Sequence, residues 1–279
     1  MRIEELKILG GIGKNGQREA LEQISLKMGD VISIVGPTGS GKTTLIDDIA
    51  LFADRNTPTQ RRILINGAPA PEEFLNTPSK NPVAFITQHT NFLSDLPVRE
   101  FLEIHADVRS RCSSVSSVVE ETIDFANQLT GEPIIPENGM TELSGGQTRA
   151  LLIADAVVIG NSPIILLDEI ENAGIHRTRA LELLRRYEKI FIFVTHDPRI
   201  ALLSDYRIVM RKGAMVSAIY ADCEELALAE EIKKLDDMIL HLRALIREGE
   251  RLDKYWLRER LSTFNNPAKV APSGIGVNI

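Results

Sequence analysis

The chain has 279 residues and a formal net charge of −7 at pH 7, with an ordinary hydrophobic fraction of 43%. This acidic balance argues against a general binder of nucleic-acid backbones, so no nucleic-acid partner is expected. Cys112 and Cys223 are far apart and outside any C-x-x-C pattern, which favours free thiols in a reducing compartment. No run reaches the roughly 18 apolar residues of a membrane span, and the acidic pair near the start does not fit a secretory signal. We therefore expect a cytoplasmic protein, or one held at the inner face of a membrane by a partner.

Strands and one helix are predicted in the first 90 residues. Ile24, Leu26 and the run at 31–35 are apolar and partly β-branched, which is typical of strands. A glycine-rich loop follows, and then a helix that contains Leu45, Ile46 and Ile49. Further short strands are predicted at 63–65, ended by Asn66 and Gly67, and at 83–86.

The middle of the chain has a helical pattern and then returns to strands. Helices are predicted from about 98 and at 115–129, and another at 151–159, with a proline-containing loop at 131–138. The runs at 164–167 and 190–194 are continuously apolar, which suits central strands of a parallel sheet covered on both faces. A helix at 177–187 lies between them and completes a βαβ unit.

The character of the sequence changes after Asp222, where a long charged helix begins. The predicted domains are 1–221, with a helical subdomain at about 89–160, a C-terminal helical extension at 222–264 and a poorly ordered tail at 265–279. Apolar residues of the extension are spaced 4-3-4-3-4, as in a heptad seam. The seam either packs on its own domain or pairs with a partner or a second copy. It consists of Leu228, Ile232, Leu235, Ile239, Leu242 and Ile246.

The loop after the third strand fits the pattern G-x-x-x-x-G-K-[ST], with a strand before it and a helix after it. Its glycines let backbone N–H groups turn toward phosphate oxygens, and the helix N-terminus adds positive potential. Lys42 is placed to reach the β and γ phosphates, and the Thr43 hydroxyl to ligate magnesium. The predicted nucleotide-binding residues are Gly36, Pro37, Thr38, Gly39, Ser40, Gly41, Lys42, Thr43 and Thr44.

A second polar pair follows the apolar strand at 164–167. Side chains at the C-terminal end of a parallel strand face the crevice where ligands bind. Asp168 can then hold magnesium, and Glu169 can orient and polarise an attacking water. An apolar strand that ends in two carboxylates is common, and it is the phosphate loop in the same chain that favours a catalytic role for this pair.

Residues 143–147 read LSGGQ, and this segment makes the resemblance specific. The chain resembles the ATP-binding cassette (ABC) ATPases over roughly residues 1–220. The resemblance implies an α/β P-loop NTPase cassette with a mostly parallel sheet, an N-terminal antiparallel β subdomain and a helical signature subdomain. It also implies ATP and Mg²⁺ as cofactors, and a second cassette as partner. In the family this segment completes the ATP site of the opposite subunit, here through Ser144, Gly145, Gly146 and Gln147.

Two further positions take their roles from the resemblance. Gln88 resembles the Q-loop glutamine, which contacts magnesium and the attacking water, so the implied metal set is Thr43, Gln88 and Asp168. His196 resembles the switch histidine that contacts the γ-phosphate. The implied catalytic residues are therefore Glu169, His196 and Gln88.

Three positions depart from the family pattern. There is no aromatic residue before Phe52 to stack on adenine, and Ile12 is predicted to take that position. The segment 170–176, after the catalytic glutamate, is one residue longer than the family's D-loop. Asp155 occupies a position where many transporter cassettes carry an arginine.

Two functions remain open at this point. The stretch at 91–100 resembles the region that receives a membrane permease, which favours the nucleotide-binding subunit of an ABC transporter. The alternative is a soluble ABC ATPase that remodels or assembles a client such as a metalloenzyme. The unusual D-loop, the missing aromatic and the C-terminal helix favour that alternative. The short distance between Gln88 and Leu143 separately argues against the chromosome-maintenance and double-strand-break-repair ATPases of this superfamily, which carry a long coiled coil there.

Overall fold

The computed structural model divides the chain into two compact units, Met1–Asp222 and Cys223–Ile279. The side chains of 177–179, 240, 243 and 244 are not described. The structure describes residues 2–87, 89–109, 114–169, 177–251 and 253–258.

Strands and helices are interspersed along the chain. The strands are β1 (Glu5–Leu9), β2 (Gln23–Lys27), β3 (Val31–Val35), β4 (Arg62–Ile65), β5 (Ala68–Pro69), β6 (Val83–Ile86), β7 (Ile164–Asp168), β8 (Ile190–Val194), β9 (Tyr206–Arg211) and β10 (Ala214–Tyr220). The helices are α1 (Lys42–Ala50), α2 (Glu72–Asn76), α3 (Val98–Arg109), α4 (Val115–Leu129), α5 (Gly145–Val157), α6 (Arg177–Leu184), α7 (Pro198–Leu203) and α8 (Cys223–Arg247).

Two sheets form the body of the first unit. An antiparallel sheet has the order β2-β1-β4-β5, and a six-stranded sheet has the order β10-β9-β3-β8-β7-β6. In the six-stranded sheet, the neighbouring strands from β9 to β6 are parallel, and the β10–β9 pair at the edge is antiparallel. The predicted fold, a mostly parallel sheet with an N-terminal antiparallel subdomain, is confirmed.

The central strands are buried on both faces because their side chains alternate between two cores. On one face, Phe191 and Phe193 pack with Leu167 against the helices α3, α4 and α5. On the other face, Ile32 and Ile34 pack against α1 and the antiparallel sheet. This double burial explains why β7 and β8 are continuously apolar in the sequence.

The predicted elements agree with the structure apart from several boundaries. The helix predicted at 151–159 begins earlier, as α5 at Gly145, and the helix predicted to end at 187 ends at Leu184. The strands β5, β9 and β10 and the helices α2 and α7 were not predicted from the sequence. The α7 helix is only six residues long, and it begins where the Asp197 carboxylate accepts a bond from the Arg199 amide.

The described part of the second unit is mainly α8, and the rings of His241 and Trp256 stack 6.0 Å apart. The seam residues Leu228, Leu235 and Ile239 are 51%, 37% and 42% exposed. Across the residues that the structure describes, no helix combines the length and the apolar character that crossing a membrane requires.

Candidate active site

The loop between β3 and α1 is tightly packed against the neighbouring backbone. Gly36 has φ +155°, and a Cβ there would lie 2.4 Å from the Met210 carbonyl oxygen. Gly41 has φ +95°, and a Cβ there would lie 2.8 Å from the Gly213 Cα. Side chains at these positions would push the loop outward, so the glycines are required for its shape. Pro37, Thr38 and Gly39 form the exposed rim.

The polar groups inside the loop fit an anionic ligand. The Lys42 ammonium donates to the carbonyls of Gly36, at 2.9 Å, and Pro37, at 3.3 Å, so it lies within the curve of the loop. The buried Ser40 hydroxyl has no hydrogen-bond partner among the described residues. An unsatisfied buried donor beside a buried ammonium is suited to phosphate oxygens. Thr43 and Thr44 are exposed on the first turn of α1.

Asp168 and Glu169 stand where β7 ends. Asp168 is in register with Val194 of β8, and the Glu169 amide donates to the Val194 carbonyl at 3.0 Å. Glu169 has φ +50°, a left-handed conformation that is uncommon for a residue with a side chain. Such strain persists where the surrounding structure fixes the backbone, and it is found at functional sites.

His196 lies beside Glu169, with its Nε2 atom 3.7 Å from the Glu169 Oε1 atom. His196 follows β8, which lies between β3 and β7 in the sheet. The loop after β3, the acidic pair after β7 and the histidine after β8 therefore share the carboxyl edge of one sheet. The side chains of Glu169 and His196 are 33% and 49% exposed, so both can contact a ligand.

Two sequence-predicted features lie outside the described residues: Gln88 and the 170–176 segment. In the described part of the chain, no group of three or more His, Cys, Asp or Glu side chains could hold a metal by itself. Of the three predicted magnesium ligands, Thr43 and Asp168 lie on described elements. Magnesium commonly binds through one or two protein ligands together with phosphate oxygens.

The signature segment begins α5. Ser144 is the N-cap residue: its hydroxyl accepts from the Gln147 amide at 3.3 Å, and the Gln147 side chain accepts from the Ser144 amide at 2.9 Å. Gln147 also donates to the Pro133 carbonyl at 3.0 Å. Gly145 and Gly146 form the first turn, so their amides and the Ser144 hydroxyl are displayed at a helix N-terminus, which attracts anions.

Two of the three departures from the family pattern, Asp155 and Ile12, lie among the described residues. Asp155 pairs with His105 at 2.7 Å, which joins α5 to α3 inside the helical subdomain. Ile12 lies in the β1–β2 connection, where its amide donates to the Thr59 carbonyl at 2.7 Å. Its side chain is half-buried and can offer apolar contact to a base.

Sequence reasoning missed Lys14 and Arg61. The Lys14 ammonium donates to the Gly39 carbonyl of the loop at 2.9 Å. Arg61 is fully buried and bonds to Glu19 and Asp48. Neither residue belongs to a sequence motif. These contacts join positions that are between 13 and 42 residues apart in the sequence, and only the fold brings them together.

The fold and the edge of the sheet define a P-loop nucleotide-binding cassette. The family profile described as "ABC transporter" matches residues 22–172. An uncharacterised ABC transporter ATP-binding protein of Methanocaldococcus jannaschii is 48% identical over 252 residues, which cover 90% of this chain and 96% of that protein. The chain belongs to the ABC transporter family of ATP-binding proteins, and it is an ATP-hydrolysing cassette subunit.

Two further comparisons agree with this assignment. A sulfate/thiosulfate import ATP-binding protein of Agrobacterium fabrum is 32% identical over 78% of this chain, which spans 64% of that protein's length. The solved structure of cbiO1 from Clostridium perfringens, part of the ABC transporter complex cbiONQ, has a TM-score of 0.59 at 23% identity. It matches 88% of this chain and 100% of its own, and it shows the fold alone.

Proposed function

We propose that two copies of this chain bind two MgATP between them and use hydrolysis to drive a membrane permease. The observation that carries the proposal is the juxtaposition of Glu169 and His196, 3.7 Å apart, on the edge that also bears the phosphate loop. ATP binding and hydrolysis follow from the family. The residue roles, the magnesium ion and the partners are the proposed part.

The phosphate loop holds the triphosphate. Lys42 exchanges its two backbone carbonyl partners for β- and γ-phosphate oxygens, and the Ser40 hydroxyl and the inward amides supply further donors. Thr43, Asp168 and Gln88 would hold magnesium. The chemistry that the ion would supply there is positive charge against the charge that develops on the phosphates.

Glu169 orients the attacking water and polarises its O–H bond toward the carboxylate. His196, beside it, donates to a γ-phosphate oxygen. The left-handed backbone of Glu169 sets the direction in which its side chain leaves the end of the strand. Gln88 is proposed to contact the same water.

The second copy supplies the signature. Ser144 begins α5 in the helical subdomain, whose core is separate from the one behind the phosphate loop. The N-terminus of α5 therefore serves as a second anion site, which completes the ATP site of the partner.

Exposed apolar side chains of the helical subdomain are proposed to receive the permease. Leu93, Val108 and Ile104 are 100%, 78% and 53% exposed, and the rings of Phe92 and Phe101 meet edge to face at 5.1 Å. Exposed apolar clusters of this kind mark protein interaction sites. The reported relatives are named for transport, and none of them supports the soluble alternative. The proposed location is accordingly the cytoplasmic face of a membrane.

Mixing two inactive chains tests the shared site. Lys42→Ala disables the phosphate loop, and Ser144→Arg blocks the signature, so a homodimer of either variant has two defective sites. A heterodimer has one intact site, because the intact loop of one chain meets the intact signature of the other. We expect ATP turnover to reappear on mixing, and not when two differently tagged Lys42→Ala chains are mixed. A mixture as inactive as its components would contradict the shared site.

A further inference from the structure

A buried ion cluster lies beside the phosphate loop. The Arg61 guanidinium is fully buried, and it donates to Glu19 Oε1 at 2.6 Å and to Asp48 Oδ2 at 2.9 Å. Both carboxylates are buried as well, at 0% and 3% exposure. A buried charge is tolerated only when its partners satisfy it, so these three side chains fix one another.

The two carboxylates extend the cluster to other segments. Glu19 accepts from the amides of Gly11, at 2.9 Å, and Met215, at 2.6 Å. Asp48, on the helix that follows the phosphate loop, accepts from the Thr59 hydroxyl at 2.8 Å. The cluster therefore joins the β1–β2 connection, α1 and the first residues of β10.

Arg61 also reaches the phosphate loop through Gly213. Its Nη2 atom donates to the Gly213 carbonyl at 2.8 Å, and the Gly213 amide donates to the Ser40 carbonyl at 2.8 Å. Gly213 lies so close to Gly41 that a Cβ on Gly41 would be 2.8 Å from its Cα. Two successive hydrogen bonds thus connect the guanidinium to the loop backbone.

Lys14 contacts both the 212–213 turn and the phosphate loop. Its amide donates to the Lys212 carbonyl at 2.9 Å, and its ammonium donates to the Gly39 carbonyl at 2.9 Å. A Cβ on Gly213, whose φ is +83°, would lie 2.7 Å from the Lys14 Cγ. The phosphate loop, the 212–213 turn and the β1–β2 connection are therefore stacked without room for a methyl group.

We propose that Arg61 is a positioning residue for nucleotide binding, which holds the phosphate loop, its helix and the connection that carries Ile12 in one arrangement. The inference rests on the proposed role of residues 36–43 in phosphate binding. Loop amides bind phosphate only when they point inward together. The Gly213 bond holds the outer wall of the loop, and the Asp48 bond holds the last turn of the helix that follows it. Arg61 does not touch the reacting atoms.

Arg61→Lys tests this role, because lysine keeps the charge but cannot make the forked contacts to two carboxylates and a carbonyl. Arg185→Lys is the matched control: Arg185 also bonds a carboxylate, of Asp205, and a carbonyl, of Leu203, but at the amino end of β3. We expect Arg61→Lys to raise the Kd of a fluorescent ATP analogue and the KM for ATP by about tenfold, with kcat within about twofold. Arg185→Lys should leave the Kd and KM unchanged.

The outcomes separate this inference from the proposed function. An Arg61→Lys chain that melts earlier but binds the analogue with the wild-type Kd would show that the cluster only supports folding. If that variant does not fold, Asp48→Asn, which keeps the shape of the side chain and removes its charge, should raise the Kd in the same direction. Lys42→Ala is measured in parallel: unchanged binding there overturns the phosphate-loop assignment itself.

Discussion

At the scale of single residues, Glu169 combines a strained backbone with a fixed environment. Its left-handed φ of +50° costs about 1 kcal/mol or more for a residue with a side chain. The bond from its amide to the Val194 carbonyl holds it in that conformation. In this conformation the Glu169 side chain extends from the end of β7 toward His196.

Lys189 is another constrained residue, and it lies away from the nucleotide edge. It is 5% exposed, and its ammonium donates to the Asn161 side chain at 2.7 Å and to the Ser162 carbonyl at 3.1 Å. Burial lowers the pKa of Lys189 to about 8. The folded state therefore releases this proton more readily than the unfolded chain.

Lysine burial makes the unfolding free energy depend on pH. Between about pH 8 and 10.5 the unfolded chain binds more protons at Lys189 than the folded chain does. The contribution of Lys189 to the unfolding free energy therefore rises with pH over this range, and it falls again as the pH is lowered to 8. We predict that the unfolding free energy of the wild type, minus that of Lys189→Met, rises by about 1–2 kcal/mol from pH 8 to 10. Urea titrations measure it, and Lys234→Met controls for the loss of an exposed charge. A pH-independent difference would refute the prediction.

At the scale of elements, α5 uses its signature residues to begin the helix. The Ser144 hydroxyl and the Gln147 side chain form a reciprocal capping box, and Gln147 also ties the helix to the loop at Pro133. The hydroxyl that caps the helix is the one proposed to contact the partner's ATP. Stability and nucleotide contact are therefore two separable uses of Ser144.

Two substitutions separate these uses. Ser144→Ala removes the cap and should lower the unfolding free energy by about 1 kcal/mol. Ser144→Asp keeps a good N-cap but places a negative charge against phosphate, so it should retain stability and lose the ATP-dependent dimer. Thermal unfolding and size-exclusion chromatography with ATP measure the two effects. An aspartate variant that dimerises normally with ATP would exclude the proposed contact.

The phosphate loop, the central strands and most of the longer helices could be predicted because each depends on local pattern. The strand at 31–35 is apolar except for Ser33 because both of its faces are buried, and Gly41 is glycine because no side chain fits beside Gly213. The Arg61 cluster could not be predicted, since its bonds join segments that are distant in sequence. Nothing in the local sequence distinguishes an arginine that will be buried from one that will be exposed.

At the scale of the whole molecule, every described nucleotide motif lies in the unit Met1–Asp222. The second unit presents the α8 seam, of which Ile246 is 59% exposed. A seam of nearly three heptads is short for a free-standing coiled coil. Packing on its own domain and pairing with a partner or a second copy are both still predictions.

Truncation after Asp222 distinguishes the roles of the two units. We predict that residues 1–222 fold and bind ATP with an unchanged Kd, because this unit has its own two cores and all the phosphate contacts. Circular dichroism and titration with a fluorescent ATP analogue measure these properties, with the full chain as control. An insoluble fragment would mean that the extension is part of the fold.

Replacing Glu169 by glutamine separates ATP binding from ATP hydrolysis. The amide keeps the shape of the side chain but loses the charge that polarises the water, whereas Lys42 and Asp168 remain. We predict that Glu169→Gln lowers ATP turnover at least about 10²-fold, leaves the ATP Kd nearly unchanged and accumulates an ATP-bound dimer. Glu171→Gln, the neighbouring acidic control, should turn over ATP normally. Wild-type turnover in Glu169→Gln, with turnover lost in Glu171→Gln, would contradict the account.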